Sequence, residues 1–400
     1  MGQPEVCDYT VDMSRQLGIA VIGMGWMGAA HSRAYLQARH RFTDRGLEPR
    51  LVVCADDVEA RRQAAQRDYG FARATADWRE AVAAADVDVV DITAPNFLHR
   101  TMAEAAIAAG KHVFCEKPVG RSPEETLAVA AAAERAGIVS GVGYNYVFAP
   151  MVQHARRLID DGRLGELTHY RGRFFSGYGR DPHGVLSWRY QREQAGSGTL
   201  ADLISHVVDT AHYIAGPIRR VVSQRHTFIA ERPLATPGEG THFSAKAGGP
   251  TGPVTNEDYV GMLVEFAGGA RGTLEACRVI FGPECQMAFE VNGRRGALAW
   301  DFERLNELQV RLAGDDGAAG DGFTTAIAGP QHPDHGRFNP GAGIGIGYDD
   351  TLTIELAEFL TAVAAGTPAR GSLAAAAAVA RVQQAAARSW DSGSWETVAA

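Results

Sequence analysis

The chain has 400 residues, enough for two or three domains at about 100–200 residues each. Apolar residues are 46% and charged residues 22%, a globular composition that excludes wholesale disorder and fibrous repeats. Lys+Arg 39 against Asp+Glu 47 gives −8, which speaks against nucleic-acid binding, where clustered positive charge supplies the affinity. Met1–Asp12 lacks the basic and apolar segments of a secretory signal, so the opening residues 1–16 are expected to be a flexible tail. Leu373–Val382 is mostly alanine and far short of the roughly 18 apolar residues of a membrane span. Five cysteines (Cys7, Cys54, Cys115, Cys277, Cys285) form no CxxC pair, and two lie in apolar runs. They read as free thiols of a reducing, cytoplasmic protein.

From Leu17 the pattern repeats. Gly18–Gly23 is a continuous apolar run, as a strand buried on both faces requires, and a helical stretch to about His40 follows. Leu51–Ala55, Val89–Thr93, His112–Cys115 and Val139–Gly143 are further strands. They alternate with helices at Val58–Tyr69, Leu98–Ala109 and Pro123–Ala136, the last two stopped by Gly110 and Gly137. Short connections between alternating strands and helices imply βαβ crossovers and a doubly wound parallel sheet over residues 17–145. After Tyr146 the character changes. Met151–Asp161 and Leu200–Ile214 read as helices, but strands then dominate and alternate: Val260, Met262, Val264 and Phe266 face one way, as do Met287, Phe289 and Val291. Alternation predicts a large open, mostly antiparallel sheet in a second α/β domain, residues 146–400. Segments 231–257 and 313–347 read as long functional loops, and Asp350–Ala365 and Leu373–Trp390 as closing helices. Apolar Leu274, Ala276 and Ile280 are assigned to the sheet's second face, which predicts a homodimer or homotetramer built through it.

Gly23-Met24-Gly25-Trp26-Met27-Gly28 is a G-x-G-x-x-G between a strand and a helix. The first glycine permits the turn, the second lets a pyrophosphate approach the backbone, and the third allows close packing of helix on strand. Asp56 ends the second strand, where a carboxylate accepts ribose hydroxyls and repels a 2′-phosphate, so the expected cofactor is NAD. Arg61-Arg62, one turn on, reads as a solvated helix face. Thr93-Ala94-Pro95-Asn96-Phe97-Leu98-His99 and Glu116-Lys117-Pro118 stand at the carboxyl ends of the third and fourth strands, where open α/β sheets bind ligands. The Lys117 ammonium could there stabilise alkoxide character as hydride leaves. Asp202 and His206, four apart in a predicted helix, would share a face, the carboxylate orienting the imidazole and raising its basicity. Gly196-Ser197-Gly198 reads as a flexible approach to them. His332-x-x-His335 has too few companions for a closed metal site, and no metal is expected.

These segments, with Gly110-Lys111-His112 ahead of Glu116-Lys117-Pro118, resemble the glucose–fructose oxidoreductase / inositol dehydrogenase (Gfo/Idh/MocA) family nearly end to end. The resemblance implies a Rossmann domain, a substrate domain whose open sheet makes subunit contacts, and a site between them. It implies catalytic roles for Lys117, Asp202 and His206, with Trp188 and Arg189 near the nicotinamide. Asn145 matches a strand-end asparagine, whereas Val147 replaces the usual arginine of that pattern. By the same likeness Gly23 through Gly28, Asp56, Thr93, Pro95, Asn96, His99, Glu116, Lys117, Asn145, Trp188 and Arg189 are candidates for the cofactor. Lys117, Tyr146, His183, Trp188, Asp202, His206 and Tyr348 are candidates for the substrate. Leu186–Arg189, Glu231-Arg232-Pro233 and Ile344–Tyr348 are similar to the levoglucosan dehydrogenase-like branch. The expected reaction is oxidation of a ring hydroxyl, at C3, of a sugar, glycoside or anhydrosugar. An inositol dehydrogenase, a redox-assisted glycosidase and a non-catalytic NAD-sensing regulator are the alternatives.

Overall fold

The computed structural model describes residues 16–234, 245, 248–314 and 322–399. The expected N-terminal tail, apart from Gln16, and Cys7 lie outside them.

Six parallel strands form the first sheet: β1 (Gln16–Ile22), β2 (Glu48–Ala55), β3 (Arg73–Thr75), β4 (Val89–Ile92), β5 (His112–Cys115) and β6 (Ser140–Val142). Their order is β3-β2-β1-β4-β5-β6. The chain therefore reverses direction of travel at β1/β4, the switch point where such sheets open a crevice at their carboxyl ends. Helices α1 (Trp26–Arg41), α2 (Glu59–Tyr69), α3 (Trp78–Ala83), α4 (Asn96–Ala108) and α5 (Pro123–Ala136) make the crossovers. α5 begins where Ser122 accepts the Glu125 amide and Pro123 fixes the first turn, and it ends at Gly137 with φ +65°. β3 and α3 escape a pattern reading because they are short and half-exposed.

Then follow α6 (Pro150–Asp160), β7 (Leu167–Ser176), α7 (Arg192–Ala195), α8 (Thr199–Asp202), α9 (Ile204–Ala215), β8 (Ile218–His226), β9 (Glu231–Pro233) and β10 (Thr251–Pro253). β11 (Tyr259–Phe266), β12 (Arg271–Cys277), β13 (Cys285–Gly293), β14 (Gly296–Asp301), β15 (Glu307–Leu312), β16 (Thr324–Ile327), α10 (Tyr348–Ala365), α11 (Leu373–Ser392) and β17 (Glu396–Thr397) complete the chain. The second sheet has nine strands in the order β16-β15-β14-β13-β7-β12-β11-β8-β17, and only β7 and β12 pair in parallel. Val260, Met262, Val264, Met287, Phe289 and Val291 are buried on one face, as alternation predicts. The two presumed loops instead carry structure: β9 pairs with β10, and β16 extends the large sheet.

Two further expectations are corrected. Leu274 and Ala276 are fully buried, on the same inward face as Val260 and Met262 with which they pair. The opposite face presents Leu263, Thr273, Glu275, Arg171 and Glu290 instead. The closing helices also do more than finish the second domain. α10 packs on α1, and α11 packs on α5, α9 and β8, so the chain's last two helices return to brace the helices of the first sheet.

Candidate active site

The glycine turn shows three different needs for glycine. Gly23 has φ +98°, and a Cβ there would lie 2.7 Å from the Ala94 amide nitrogen. At Gly28 a Cβ would meet the Gly23 carbonyl oxygen at 2.1 Å, so α1 can sit against β1 only without one. At Gly25 a Cβ would find no protein atom within 4 Å. The protein itself does not require that glycine, and its open surroundings leave room for a ligand to approach the backbone. α1 starts there with no side-chain cap and no acidic residue in its first turn, leaving its amide-rich end free for phosphate oxygens. These residues fit a dinucleotide. Asp56 is fixed by accepting the amides of Met24 (Oδ2, 2.7 Å) and Val58 (Oδ1, 2.8 Å), with the Arg61 guanidinium 3.7 Å from Oδ1. A carboxylate has about four acceptor positions, so two remain for ribose hydroxyls.

Across the crevice, several candidate cofactor residues turn out to hold the walls. The Thr93 hydroxyl points at the Gly23 carbonyl (2.6 Å) and so braces the glycine turn. His99 is buried with Nδ1 2.8 Å from the Pro118 carbonyl and Nε2 2.6 Å from that of Ala94, which clamps the ends of β4 and β5 together. Pro95 caps α4 and Asn96 begins it. Asn145 donates to the Thr351 hydroxyl on α10 (3.1 Å). Glu116 is buried, one oxygen accepting the Lys117 amide at 3.2 Å.

Lys117 meets Asp202 from the opposite side. Its Nζ donates to Asp202 Oδ1 at 2.7 Å and to the Asp202 main-chain carbonyl at 3.1 Å. This second bond explains a departure from the sequence reading. In one continuous helix that carbonyl would accept the His206 amide. Instead the His206 amide bonds Leu203 at 3.1 Å, and the helix breaks there into α8 and α9. The Asp202 carboxylate is hydrogen-bonded to the lysine rather than to the imidazole. Asp202 Oδ2 accepts from the Tyr178 hydroxyl (3.0 Å), and Arg189 lies 3.7 Å from Oδ1. Burial alone would raise this carboxyl. The cations of Lys117 and Arg189, with the two side-chain hydrogen bonds, hold it well below the usual range. Gly196 and Gly198 are packing positions rather than hinges: a Cβ would lie 1.8 Å from the Arg121 carbonyl and 2.0 Å from that of Glu257, respectively.

His206 sits in an aromatic cage, its ring 4.8 Å from Tyr146, 5.7 Å from Tyr144 and 5.8 Å from Phe174. Its Nδ1 has no hydrogen-bond partner. Burial, then the charge of Lys117, push the imidazole well below its ordinary value, with Asp202 pulling weakly the other way. The expected rise in basicity is therefore reversed, and the ring is neutral at neutral pH. Trp188 stacks under the Arg189 guanidinium (4.6 Å) and meets Phe97 edge-on. Tyr348 opens α10 and stacks on Trp26 at 5.5 Å, beside the glycine turn. His183 is exposed, its amide and ring both bonding Asp181 Oδ1. Tyr178, which the sequence reading did not single out, is part of the site. Its only local signal is an aromatic hydroxyl between two glycines just after β7.

Residues 17–144 match the family model described as "Oxidoreductase family, NAD-binding Rossmann fold", and residues 152–299 match "GFO/IDH/MocA C-terminal domain". Levoglucosan dehydrogenase of Pseudarthrobacter phenanthrenivorans is 38% identical over 386 residues, 96% of this chain and 98% of that protein. The chain belongs to the Gfo/Idh/MocA family. A solved structure of levoglucosan dehydrogenase in complex with NADH and levoglucosan superposes with a TM-score of 0.89 at 36% identity, covering 96% of this chain and 100% of that one. D-glucoside 3-dehydrogenase of Escherichia coli is 30% identical over 203 residues, 51% of this chain and 55% of that protein.

As a Gfo/Idh/MocA protein the chain is an NAD-dependent oxidoreductase. The glycine turn, the open end of α1 and Asp56 fit that cofactor. Among the described residues no cluster of three or more His, Cys, Asp or Glu side chains is arranged to hold a metal ion. Among them, too, no helix is long and apolar enough to cross a membrane.

Proposed function

We propose that this oxidoreductase oxidises the C3 hydroxyl of a pyranose ring in a sugar, glycoside or anhydrosugar. The observation that carries the reading is the Lys117–Asp202 pair beside an uncharged, caged His206, at the crevice where the cofactor residues converge. Likeness to levoglucosan dehydrogenase over nearly the whole chain supports the substrate class, and likeness to D-glucoside 3-dehydrogenase supports the carbon. NAD, when bound, supplies the hydride acceptor. His206 takes the hydroxyl proton, because a neutral imidazole is ready to accept one. Lys117 stabilises the negative charge that builds on the oxygen, and Asp202, Tyr178 and Arg189 fix the position of that ammonium. Tyr146, Trp188 and Tyr348 are assigned to the sugar, with His183 at the rim. The division into residues 17–145 for the nucleotide and 146–400 for the substrate is part of the same reading. Buried free thiols at Cys54, Cys115 and Cys277 support a cytoplasmic setting. The outer face of the nine-stranded sheet, with Leu263 of β11 half exposed on it, supports a homodimer or homotetramer.

The test is NADH formation across a panel of anhydrosugars, glucosides, free sugars and inositols, with the product located by NMR. The reading predicts stoichiometric NADH and a 3-keto product from a glucoside or anhydrosugar. NADH from inositols alone would make the protein a cyclitol dehydrogenase. Aglycone release without NADH would make it a redox-assisted glycosidase, and NAD binding without turnover a regulator.

A further inference from the structure

Behind the glycine turn lies a buried group of charges that the reaction above does not use. His31, on α1, is completely inaccessible, as is Asp91 on β4. His31 Nδ1 lies 2.9 Å and 3.1 Å from the two Asp91 oxygens. On its other side Nε2 lies 3.3 Å from Glu116 Oε1, a long contact that is an ion pair rather than an aligned hydrogen bond. The other Glu116 oxygen accepts the Lys117 amide. A continuous chain of contacts therefore runs from Asp91 through His31 and Glu116 to Lys117, and thence to Asp202.

We propose that His31 is a positioning residue: its imidazolium, held between Asp91 and Glu116, keeps the Glu116 carboxylate in place to fix the Lys117 main chain. The inference deepens the role given to Lys117 above and rests on it. Geometry requires a cation here. Asp91 on β4 and Glu116 at the end of β5 converge from both sides on one fully buried ring, and like charges so placed repel unless a cation stands between them. Burial alone would lower the imidazole. Asp91, then Glu116, raise it to about 10. Glu116 is buried too, yet His31, with Lys117 and His99, holds its carboxyl below the ordinary value. The remaining titratable neighbours supply no replacement cation. Tyr35, on the same helix, and Glu355, on α10, are both buried and both pushed well above their ordinary values, hence neutral. Cys115, Tyr144 and Tyr348, which also face Glu116, are likewise pushed up and carry no charge.

The experiment compares wild type, His31→Gln and His31→Gln/Glu116→Gln, all with NAD. One readout is kcat against pH; the other is the 13C titration of the Glu116 carboxyl, assigned by its loss in Glu116→Gln. In the wild type Glu116 stays ionised across the neutral range. In His31→Gln it should titrate within that range, kcat should fall roughly 10- to 100-fold, as misplacement of a reacting group does, and a new ionisation should enter the pH profile. That ionisation should vanish in the double variant. If Glu116 remains ionised, or titrates with kcat within twofold of wild type, the proposal is overturned. Should His31→Gln not fold, Asp91→Asn carries the test. His31 loses its principal stabilising charge, so activity should fail at a lower pH than in wild type, and an unchanged alkaline limb overturns the proposal. The carboxyl titration needs no sugar, so failure of the ring-hydroxyl reading leaves this result legible.

Discussion

Lys117 holds Asp202 twice, through its carboxylate at 2.7 Å and its main-chain carbonyl at 3.1 Å. One contact neutralises charge, and the other takes a carbonyl out of a helix. The side-chain pair is mostly buried, 16% and 18% exposed, so each charge-assisted bond is of the kind that contributes about 1.5–3 kcal/mol. The pair joins the end of β5 to the α8–α9 break and thereby ties the first sheet to the helices that cover the second.

The glycine turn offers a separation of fold from ligand. Gly25→Ala should leave the melting temperature of the cofactor-free protein nearly unchanged, because the new methyl meets no protein atom. NADH affinity, followed by its fluorescence, should drop at least tenfold. Gly28→Ala should instead destabilise the fold by about 1–3 kcal/mol through overpacking against the Gly23 carbonyl. A Gly25→Ala protein that binds NADH normally would place the pyrophosphate elsewhere.

Asp56 should set the choice between NAD and NADP. Its carboxylate would stand against a 2′-phosphate, so kcat/KM should favour NAD. Asp56→Ala should narrow that ratio by freeing the neighbouring Arg61 guanidinium, which is half exposed. Better kcat/KM with NADP in the wild type would show that the arginine dominates.

The pH profile should report the cage around His206. A base must be deprotonated to act, and burial lowers this imidazole well below its ordinary value. Activity should therefore persist below the pH at which an exposed histidine, at about 6.5, gains its proton. His206→Ala should lower kcat and remove that acid limb. An acid limb at or above the ordinary histidine value would mean that Asp202 controls the ring after all.

Assembly through the open sheet is expected to depend on Leu263, 51% exposed on its outer face. Light scattering should give a particle of two or four chains at micromolar concentration. Leu263→Arg should shift it toward one chain. A wild-type particle of a single chain's mass contradicts the proposal.

The first sheet was readable because parallel strands buried on both faces leave continuous apolar runs, as in Val89–Ile92 and His112–Cys115. The glycine turn is readable because its three glycines stand at fixed spacing between an apolar strand and a helix, although only Gly23 and Gly28 are required by contacts within the protein. What escaped was decided by long-range contacts. Apolar periodicity carries straight through Leu203, whereas the helix breaks where Lys117, 85 positions before Asp202, bonds the Asp202 carbonyl. Alternation gives two faces without saying which one the helices cover, and Leu274 and Ala276 lie on the covered one. Tyr178 stands between two glycines just after β7, a signal too slight to mark a partner of Asp202. The basicity of His206 was misjudged for a related reason: the sequence places an acid nearby, but burial among aromatic rings outweighs it.

The central claim is that the Lys117 ammonium, set by Asp202, stabilises charge on the reacting oxygen. Its most direct test is kcat, together with the dissociation constant for NADH, of Lys117→Met beside Asp202→Asn. The methionine keeps much of the side-chain bulk and removes the charge. Lys117→Met should lower kcat by about 10²-fold or more, in line with loss of one preorganised electrostatic donor, with NADH binding within a few-fold of wild type. Asp202→Asn should fall between it and the wild type. A Lys117→Met enzyme that binds NADH and turns over nearly as fast as wild type would contradict the account and make the lysine a structural tie.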